Sequence, residues 1–315
     1  MSEFKQIWRP ISARLTDRLW ALLFASANNR RTALRRLFDR HMDPKALAFI
    51  DFGDHSFFVD PRDQMIAFKL LSGHSWQRAD IEAAIAATLA NGVLQPGKWF
   101  IDVGANIGTQ TVYAMRSGKF CGVIAVEPEP HNLDLLRRNV AINGLSDKVH
   151  VVAAAASDGN SKATLTRDRQ NFGAHSIRPN WSGTPGTDVT VDTRTIDDIL
   201  AALDIAPEDV GLVWIDVEGH EIEALRGMKR LRSAQVPIVS EVSMANHTAT
   251  EVDTLRTLLS ENYTSAQHLQ APNRAANPSL QSGGTSKLIS EFEFGARQTD
   301  VLIFNTSQAG PLPAE

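Results

Sequence analysis

The sequence predicts a doubly wound α/β fold with a mostly parallel central sheet, and three observations lead to it. Short apolar stretches alternate with helix-length segments from residue 99 onward. Several of these stretches are apolar throughout, which is typical of parallel strands covered on both faces. A tight turn rich in glycine follows the first of them, as in α/β folds that bind ligands at strand ends. The predicted strands are Trp99–Val103, Gly122–Val126, Val149–Ala154, Gly211–Asp216, Val236–Glu241 and Val301–Phe304.

Composition excludes several classes of protein. Of the 315 residues, 43% are hydrophobic and 22% are charged, which is the balance of a folded globular chain. The single cysteine, Cys121, excludes an internal disulfide and any cysteine-rich metal site, and it favours a reducing, cytoplasmic location. A formal net charge of −4 gives no general attraction to nucleic acid, so we expect no nucleic-acid partner.

The N-terminal region differs from the rest of the chain. Residues 1–45 hold ten Lys and Arg against four Asp and Glu, and they read as one or two basic helices with short leucine faces. Two interpretations stay open: a weak peripheral contact with a membrane or a protein, and a cap that packs on the core. We expect an N-terminal extension at residues 1–95, an α/β domain at residues 96–305 and a flexible tail at residues 306–315.

The pattern of apolar and turn residues predicts the remaining helices, hairpins and loops. Residues 46–61 contain two apolar runs around a Gly-Asp turn and predict a hairpin, and Ile81–Asn91 predicts a helix that ends at glycine. Two segments depart from the strand–helix alternation. Residues 158–195 are polar and favour a β-hairpin insertion that pairs Thr164–Thr166 with Val189–Val191, whereas residues 264–287 predict an exposed loop. Further helices are predicted at Leu133–Val140, His220–Met228 and Val252–Glu261.

The strongest chemical signal is the segment from Asp102 to Gly108. An apolar strand ends in an acid, and a turn with Gly104, Asn106 and Gly108 at alternate positions leads into a helix. Glycine and asparagine are the residues that best tolerate positive φ, and a helix N-terminus presents free N–H groups to an anionic ligand. Glu127 ends the next strand, where an acid can accept the two hydroxyls of a ribose.

The spacing distinguishes between nucleotide cofactors. A dinucleotide fingerprint requires G-x-G-x-x-G, whereas this chain has Asn106 at the second glycine and places the third glycine one residue early. The form D-x-G-x-N-x-G resembles instead the first motif of class I S-adenosylmethionine-dependent methyltransferases.

The resemblance narrows to the FkbM family of methyltransferases when further motifs are included. The segments Ile101–Gly108, Val126–Pro128, Asn171–Ser176, Val191–Asp198 and Ile215–Glu221 are similar to motifs of that family, and Asp63–Trp76 is similar more loosely. The resemblance implies a seven-stranded Rossmann-like methyltransferase sheet and S-adenosyl-L-methionine as the cofactor. It does not specify the acceptor.

The resemblance also implies positions for the cofactor. Its methionine end is expected over the turn Gly104, Ala105, Asn106 and Gly108, with its ammonium near Asp102. Its ribose is expected at Glu127 and Pro128. Its adenine is expected against Ala156, Ser157 and Asp158, although Asp158 is equally well explained as part of a Ser-Asp-Gly-Asn turn.

Candidate bases follow from the chemistry of a hydroxyl acceptor, whose proton must leave during transfer. Asp216 and His220 are the first candidates, and His175 on the inserted segment is the third. Helix-start capping is an alternative role for His220, and a loop position without a role is an alternative for His175. Asp216, Glu218 and Glu241 offer oxygen ligands for a divalent cation, but their spacing does not require one and we expect no metal.

The sequence thus predicts S-adenosylmethionine-dependent methylation, with a hydroxyl on a sugar, glycan or secondary metabolite as the acceptor. Two alternatives remain: an NAD(P)-dependent oxidoreductase on a similar sheet, and a nucleoside-binding module without catalytic activity.

Overall fold

The chain forms three layers, with a central sheet between two groups of helices. The computed structural model describes residues 45–178, 185–242, 247–269, 286–294 and 299–305, together with scattered positions between 31 and 43. The predicted basic arm lies almost wholly outside the described residues, and the tail at 306–315 lies entirely outside them.

The strands and helices are numbered here in chain order. The strands are β1 (Ala48–Asp51), β2 (Ser56–Val59), β3 (Lys98–Val103), β4 (Phe120–Val126), β5 (Val149–Val152), β6 (Ala155–Ala156), β7 (Ser161–Asp168), β8 (Pro185–Arg194), β9 (Val210–Ile215), β10 (Ile238–Val242), β11 (Ser265–His268), β12 (Lys287–Leu288) and β13 (Thr299–Phe304). The helices are α1 (Ile66–Leu71), α2 (Arg78–Ala90), α3 (Thr109–Arg116), α4 (Pro130–Ile142), α5 (Ile196–Ala202), α6 (Glu221–Arg226), α7 (Lys229–Ser233) and α8 (Ala249–Ser260).

The central sheet has the order β12–β11–β13–β10–β9–β3–β4–β5. Strands β10, β9, β3, β4 and β5 are parallel, whereas β13, β11 and β12 pair in antiparallel fashion at one side. All six predicted strands are present. The predicted α/β class and the seven-stranded sheet are confirmed, with the two-residue β12 added at the edge.

One prediction about the sheet was wrong. The segment 264–287 was expected to be an exposed loop, but Ser265–His268 forms β11 and pairs with β13. Ser265 and Ala266 are buried there although the segment carries few apolar residues. The neighbouring strands bury these residues, so the hydrophobic pattern of the segment itself does not indicate a strand. Residues 270–285 of the same segment lie outside the described residues.

Burial on both faces of the sheet explains the continuous apolar strands. In β9, Val213 and Ile215 belong to one core together with α5, α6, α7 and α8. Leu212 and Trp214 belong to the opposite core, together with α3 and α4. A strand covered on both faces has no polar side, which is why alternation is absent from its sequence.

The N-terminal hairpin packs on the α3–α4 face of the sheet. Phe57 and Val59 of β2 and the apolar faces of α1 and α2 belong to the core of that face. Two buried asparagines also bond the β2 backbone: Asn139 of α4 bonds both main-chain groups of Phe58, and Asn143, the C-cap of α4, bonds both of Ser56, at 2.6–3.1 Å. The predicted hairpin is confirmed, and the predicted domain boundary at residues 95 and 96 stays a prediction.

The inserted hairpin has the predicted pairing. Thr164 lies opposite Thr190, and Leu165 lies opposite Val189, in the antiparallel pair β7–β8. Helix α5 follows β8 directly and was not predicted. Its N-cap is Thr195, whose hydroxyl accepts from the Asp198 N–H at 3.0 Å. Across the described part of the chain, no helix combines the length and apolarity that crossing a membrane requires.

Candidate active site

The turn between β3 and α3 lies at the carboxyl edge of the sheet and touches the end of β9. Gly104 has a φ of +84°, and a Cβ atom there would lie 1.9 Å from the main-chain oxygen of Asp216. Gly108 has a φ of +88°, and its Cβ would lie 2.6 Å from Leu136 Cδ1. Conformation therefore favours glycine at both positions, and at Gly104 the main-chain contact also leaves no room for a side chain.

Asn106 connects this turn to two other parts of the chain. It adopts a φ of +51°, the left-handed region that asparagine tolerates. Its main-chain N–H donates to Glu127 Oε2 at 2.9 Å, and its side-chain Nδ2 donates to the Phe172 carbonyl at 2.9 Å. Asn106 thus links the end of β4 to the inserted segment.

Glu127 is a buried carboxyl group, 5% exposed, at the end of β4. Its two oxygens accept main-chain N–H groups, from Asn106 at 2.9 Å and from Glu129 at 2.8 Å. Burial raises the pKa of Glu127 to about 8, and the two N–H donors oppose that shift. Each oxygen keeps a further lone pair, so the carboxyl group can accept hydroxyl groups of a ligand.

The carboxyl group of Asp102 is held by Thr111, and not by the residues that hold Glu127. It is 1% exposed on β3, and Oδ2 accepts from the Thr111 hydroxyl at 2.5 Å. Burial raises the pKa of Asp102 to about 6, against the effect of the hydrogen bonds from Thr111. A ligand cation in the adjoining turn would favour its ionised form.

A cavity, called here the inner cavity, opens between the turn, the end of β4 and the inserted segment, and it measures about 520 Å³ including its mouth. Eight predicted site residues line it: Gly104, Asn106, Glu127, Pro128, Ala156, His175, Asp216 and His220. Five do not line it: Asp102, Ala105, Gly108, Ser157 and Asp158. Ala154 and Ala155 also line the cavity, and sequence reasoning missed them because small apolar residues carry no chemical signal.

Ser157 and Asp158 lie beside the expected adenine end. Ser157 is buried and its hydroxyl lies 3.0 Å from His220 Nε2, whereas Asp158 is exposed. His220 precedes α6 at the N-cap, but its side chain makes no capping hydrogen bond. Burial lowers the pKa of His220, and Glu223 lies 3.5 Å from its Nδ1. The imidazole is therefore neutral and held between Ser157 and Glu223.

His175 faces the inner cavity from the inserted segment. Its Nδ1 accepts from the Asp168 main-chain N–H at 2.9 Å, so the neutral ring carries its proton on Nε2. Burial lowers the pKa of His175 to about 4. In this state Nε2 is a hydrogen-bond donor, and that geometry suits orientation of a ligand better than removal of a proton.

Three carboxyl groups meet between β9 and β10. Oxygens of Asp216, Glu218 and Glu241 lie within 4.8 Å of one another. Asp216 and Glu241 share a side-chain hydrogen bond, which requires one proton between them. Burial and mutual repulsion raise the pKa values of Asp216 and Glu218 to about 8. The group offers oxygen ligands for a cation, and the prediction that no metal binds stays a prediction.

A second, larger cavity, called here the outer cavity, adjoins the inner one and measures about 1760 Å³ including its mouth. Gly104, Asn106, Gly173, Asp216 and Glu218 line both cavities. The far wall comes from α1, α2 and the segment between them. Its polar and aromatic members, which include Lys69, Trp76, Gln77 and Arg78, were not predicted as site residues, because only the fold brings them to the strand ends. Gln110 of α3 and Asn171 of the inserted segment also line this cavity and were not predicted.

The loop at 171–175 forms a wall that both cavities share. The Phe172 carbonyl accepts from the side chains of Asn106 and Asn132, each at 2.9 Å, and the Phe172 N–H donates to Asp63 Oδ1 at 3.1 Å. Arg167 of β7 pairs with the buried Glu129 at 2.7 Å. The inserted hairpin is thereby fixed to α4 and to the segment before α1.

Comparison with known proteins identifies relatives among methyltransferases. The FkbM methyltransferase domain matches residues 102–265, just over half of the chain. Methyltransferase sdnD of Sordaria araneosa is 25% identical over 160 residues, which is 43% of this chain and 62% of that protein. Hexuronic acid methyltransferase AglP of Haloferax volcanii is 28% identical over 162 residues, which is 51% of this chain and 60% of that protein. The matched region thus spans about three fifths of each relative.

Among solved structures, that of Methyltransferase FkbM from Methylobacillus flagellatus KT is similar, with a TM-score of 0.41 and 21% identity. The similarity covers 66% of this chain and 44% of that chain. Of the two enzyme classes left open by the sequence, the domain match supports the methyltransferase and not the oxidoreductase.

We expect Gly104→Ala to destabilise the fold more than Gly97→Ala. Both glycines have a φ of +84°, but a Cβ at Gly97 meets nothing within 4 Å, so this variant reports the conformational cost alone. That cost is roughly 1–2 kcal/mol. Collision with the Asp216 carbonyl adds about 1–3 kcal/mol for Gly104→Ala. The free energy of unfolding, measured by urea denaturation, checks this; equal losses would show that the close contact between β3 and β9 is not constraining.

Proposed function

The chain belongs to the FkbM methyltransferase family, and from this membership we propose that it transfers a methyl group from S-adenosylmethionine to an oxygen of a sugar or secondary-metabolite acceptor. The observation that carries the proposal is the common wall of the two cavities. Asp216 and the Gly104 turn border both of them, so a cofactor in the inner cavity and an acceptor in the outer cavity meet at one carboxyl group.

The inner cavity fits the cofactor by its donor and acceptor groups. Glu127 presents a buried carboxyl group whose described partners are N–H donors, and such a group suits a ribose diol. Gly104, which has a positive φ and no side chain, lines the cavity as bare main chain that the amino-acid end of the ligand can approach closely. Ala154, Ala155, Ala156 and Pro128 form an apolar wall suited to a purine ring.

When bound, S-adenosylmethionine supplies an electrophilic methyl carbon on a positively charged sulfur. The task left to the chain is to align a hydroxyl oxygen and to take its proton. Asp216 is the proposed base because it lies at the junction of the cavities. Glu241 is hydrogen-bonded to it and Glu218 is close to both, so the group can take up and share a proton. Since the pKa of Asp216 is about 8, its basic form increases as the pH rises toward that value.

The outer cavity supports a hydroxyl-rich acceptor. Gln77, Gln110 and Asn171 carry amides with both donors and acceptors, as adjacent sugar hydroxyls require, and Trp76 offers an apolar ring face. The name of the relative AglP, a hexuronic acid methyltransferase, supports a sugar acceptor. The proposed partner is therefore a small molecule or glycan and not a nucleic acid. Cys121, which is exposed and unpaired, supports a reducing, cytoplasmic setting.

The proposed function predicts transfer of label from S-adenosylmethionine carrying an isotopic methyl group to a hydroxyl of a sugar or secondary metabolite in a cell extract. Mass spectrometry of the labelled product identifies the methylated atom.

Chelation by EDTA should leave the rate unchanged, because a shared proton already relieves the repulsion between Asp216 and Glu241. A rate lost with EDTA and restored by Mg²⁺ contradicts the metal-free mechanism. Cofactor binding without any transfer would support a binding module instead.

Glu127→Ala is expected to weaken binding of S-adenosylhomocysteine by about 1–3 kcal/mol, because the hydrogen bonds from the ribose hydroxyls to a buried carboxyl group are lost. Calorimetric titration measures the effect. The matched control is Asp134→Ala, which removes an exposed carboxylate of α4 that pairs with Arg138. An unchanged affinity for Glu127→Ala would remove Glu127 from the ribose site.

Asp216→Asn is expected to lower kcat by about 10²-fold or more while changing cofactor affinity much less, since a general base contributes on that order. The residual rate should lose the rise toward pH 8 that the raised pKa of Asp216 gives the native protein. Steady-state kinetics and calorimetry on the same preparation separate the two quantities. Equal losses in kcat and affinity would assign Asp216 to cofactor binding or to structure.

A further inference from the structure

Asn132 lines the inner cavity and carries a buried amide oxygen. The residue is 1% exposed and lies in the first turn of α4. Its Nδ2 donates to the Phe172 carbonyl at 2.9 Å, and its main-chain N–H donates to Glu129 Oε2 at 2.7 Å. Within the part of the chain that the structure describes, Oδ1 has no hydrogen-bond partner.

The orientation of this amide is fixed by its neighbour. If the amide were turned over, Oδ1 would face the Phe172 carbonyl, and two acceptors would meet without a proton. The oxygen is therefore the unpartnered atom of the amide, and Asn132 belongs to the wall of the inner cavity. A buried acceptor without a donor is unfavourable, so a ligand that brings a donor gains from this position.

The position of Asn132 in the inner cavity indicates which group of the ligand would donate a hydrogen bond to its Oδ1. The Phe172 carbonyl also accepts from Asn106, and the main-chain N–H of Asn106 donates to Glu127. Asn132 therefore lies at the Glu127 end of the inner cavity, where both Glu127 oxygens already hold N–H groups. On a nucleoside whose ribose lies at Glu127, the O–H donors at that end are the ribose hydroxyls.

Resting on the proposed function, we propose that Asn132 Oδ1 accepts a hydrogen bond from a ribose hydroxyl of the S-adenosyl group. Asn132 and Glu127 then bind the ribose together, from α4 and from the end of β4. The contact makes Asn132 a specificity-determining residue, because a deoxyribose ligand leaves the amide oxygen unpaired.

The test is a calorimetric titration of native protein and Asn132→Ala with S-adenosylhomocysteine and with its 2′-deoxy and 3′-deoxy analogues. We expect Asn132→Ala to bind S-adenosylhomocysteine about tenfold more weakly, as loss of one hydrogen bond in a buried site implies. For one of the deoxy analogues, the native protein and the variant should bind within about twofold, because the partner hydroxyl is already missing.

Asp63→Asn is the control for loosening of the loop. Asp63 supports Phe172 from the side opposite to Asn132 and does not line the inner cavity. We expect this variant to change the affinity for all three ligands by the same factor. If Asn132→Ala also changes the affinity for all three ligands by the same factor, Asn132 acts only through the loop and the inference is overturned. The inference is overturned as well if Asn132→Ala leaves all three affinities unchanged. If the native protein binds none of the three ligands, the proposed function itself fails and the inference with it.

Discussion

The structure of the site depends on carboxyl groups that are buried or half-buried at the ends of neighbouring parallel strands. Asp102, Glu127 and Asp216 end or follow β3, β4 and β9, and burial raises each pKa, to about 6, 8 and 8. Each is held by a different neighbour: the Thr111 hydroxyl, two main-chain N–H groups, and the Glu241 carboxyl group. The three environments suit three tasks, which are balancing a ligand cation, accepting hydroxyls and accepting a proton.

The inserted segment joins these strand ends to the N-terminal region. Asp63 holds the Phe172 main chain from one side, while the amides of Asn106 and Asn132 hold it from the other. Since this loop lines both cavities, the hydrogen bonds that fix it also fix part of the wall of each cavity.

The local pattern of residue types was enough to predict the elements whose own residues indicate their structure and burial. The apolar strands, the Asp102–Gly108 turn and the pairing of Thr164 with Thr190 were all readable from the sequence. Strand β11 was not predicted, because its residues are buried by the neighbouring strand β13 and not through an apolar pattern of their own. Helix α5 was not predicted, because it directly follows the polar inserted segment. In the site, Asn132 resembled any polar residue of a helix, and only the fold shows that it lines a cavity and has an unpartnered amide oxygen. The far wall of the outer cavity comes from residues 65–80, too distant in sequence from Asp216 for spacing arguments to connect them.

Asn139 of α4 and its C-cap Asn143, which both bond β2, have a consequence for assembly. Residues four apart on a helix rise about 6 Å, close to the spacing of alternate residues in a strand. Asn139 and Asn143 therefore present donors and acceptors at the interval of a neighbouring strand, and they occupy the outward-facing groups of Ser56 and Phe58. An open strand edge invites pairing with another chain and so aggregation. In this protein a helix closes that edge with side-chain amides, so the hairpin cannot be extended on this side by a second molecule.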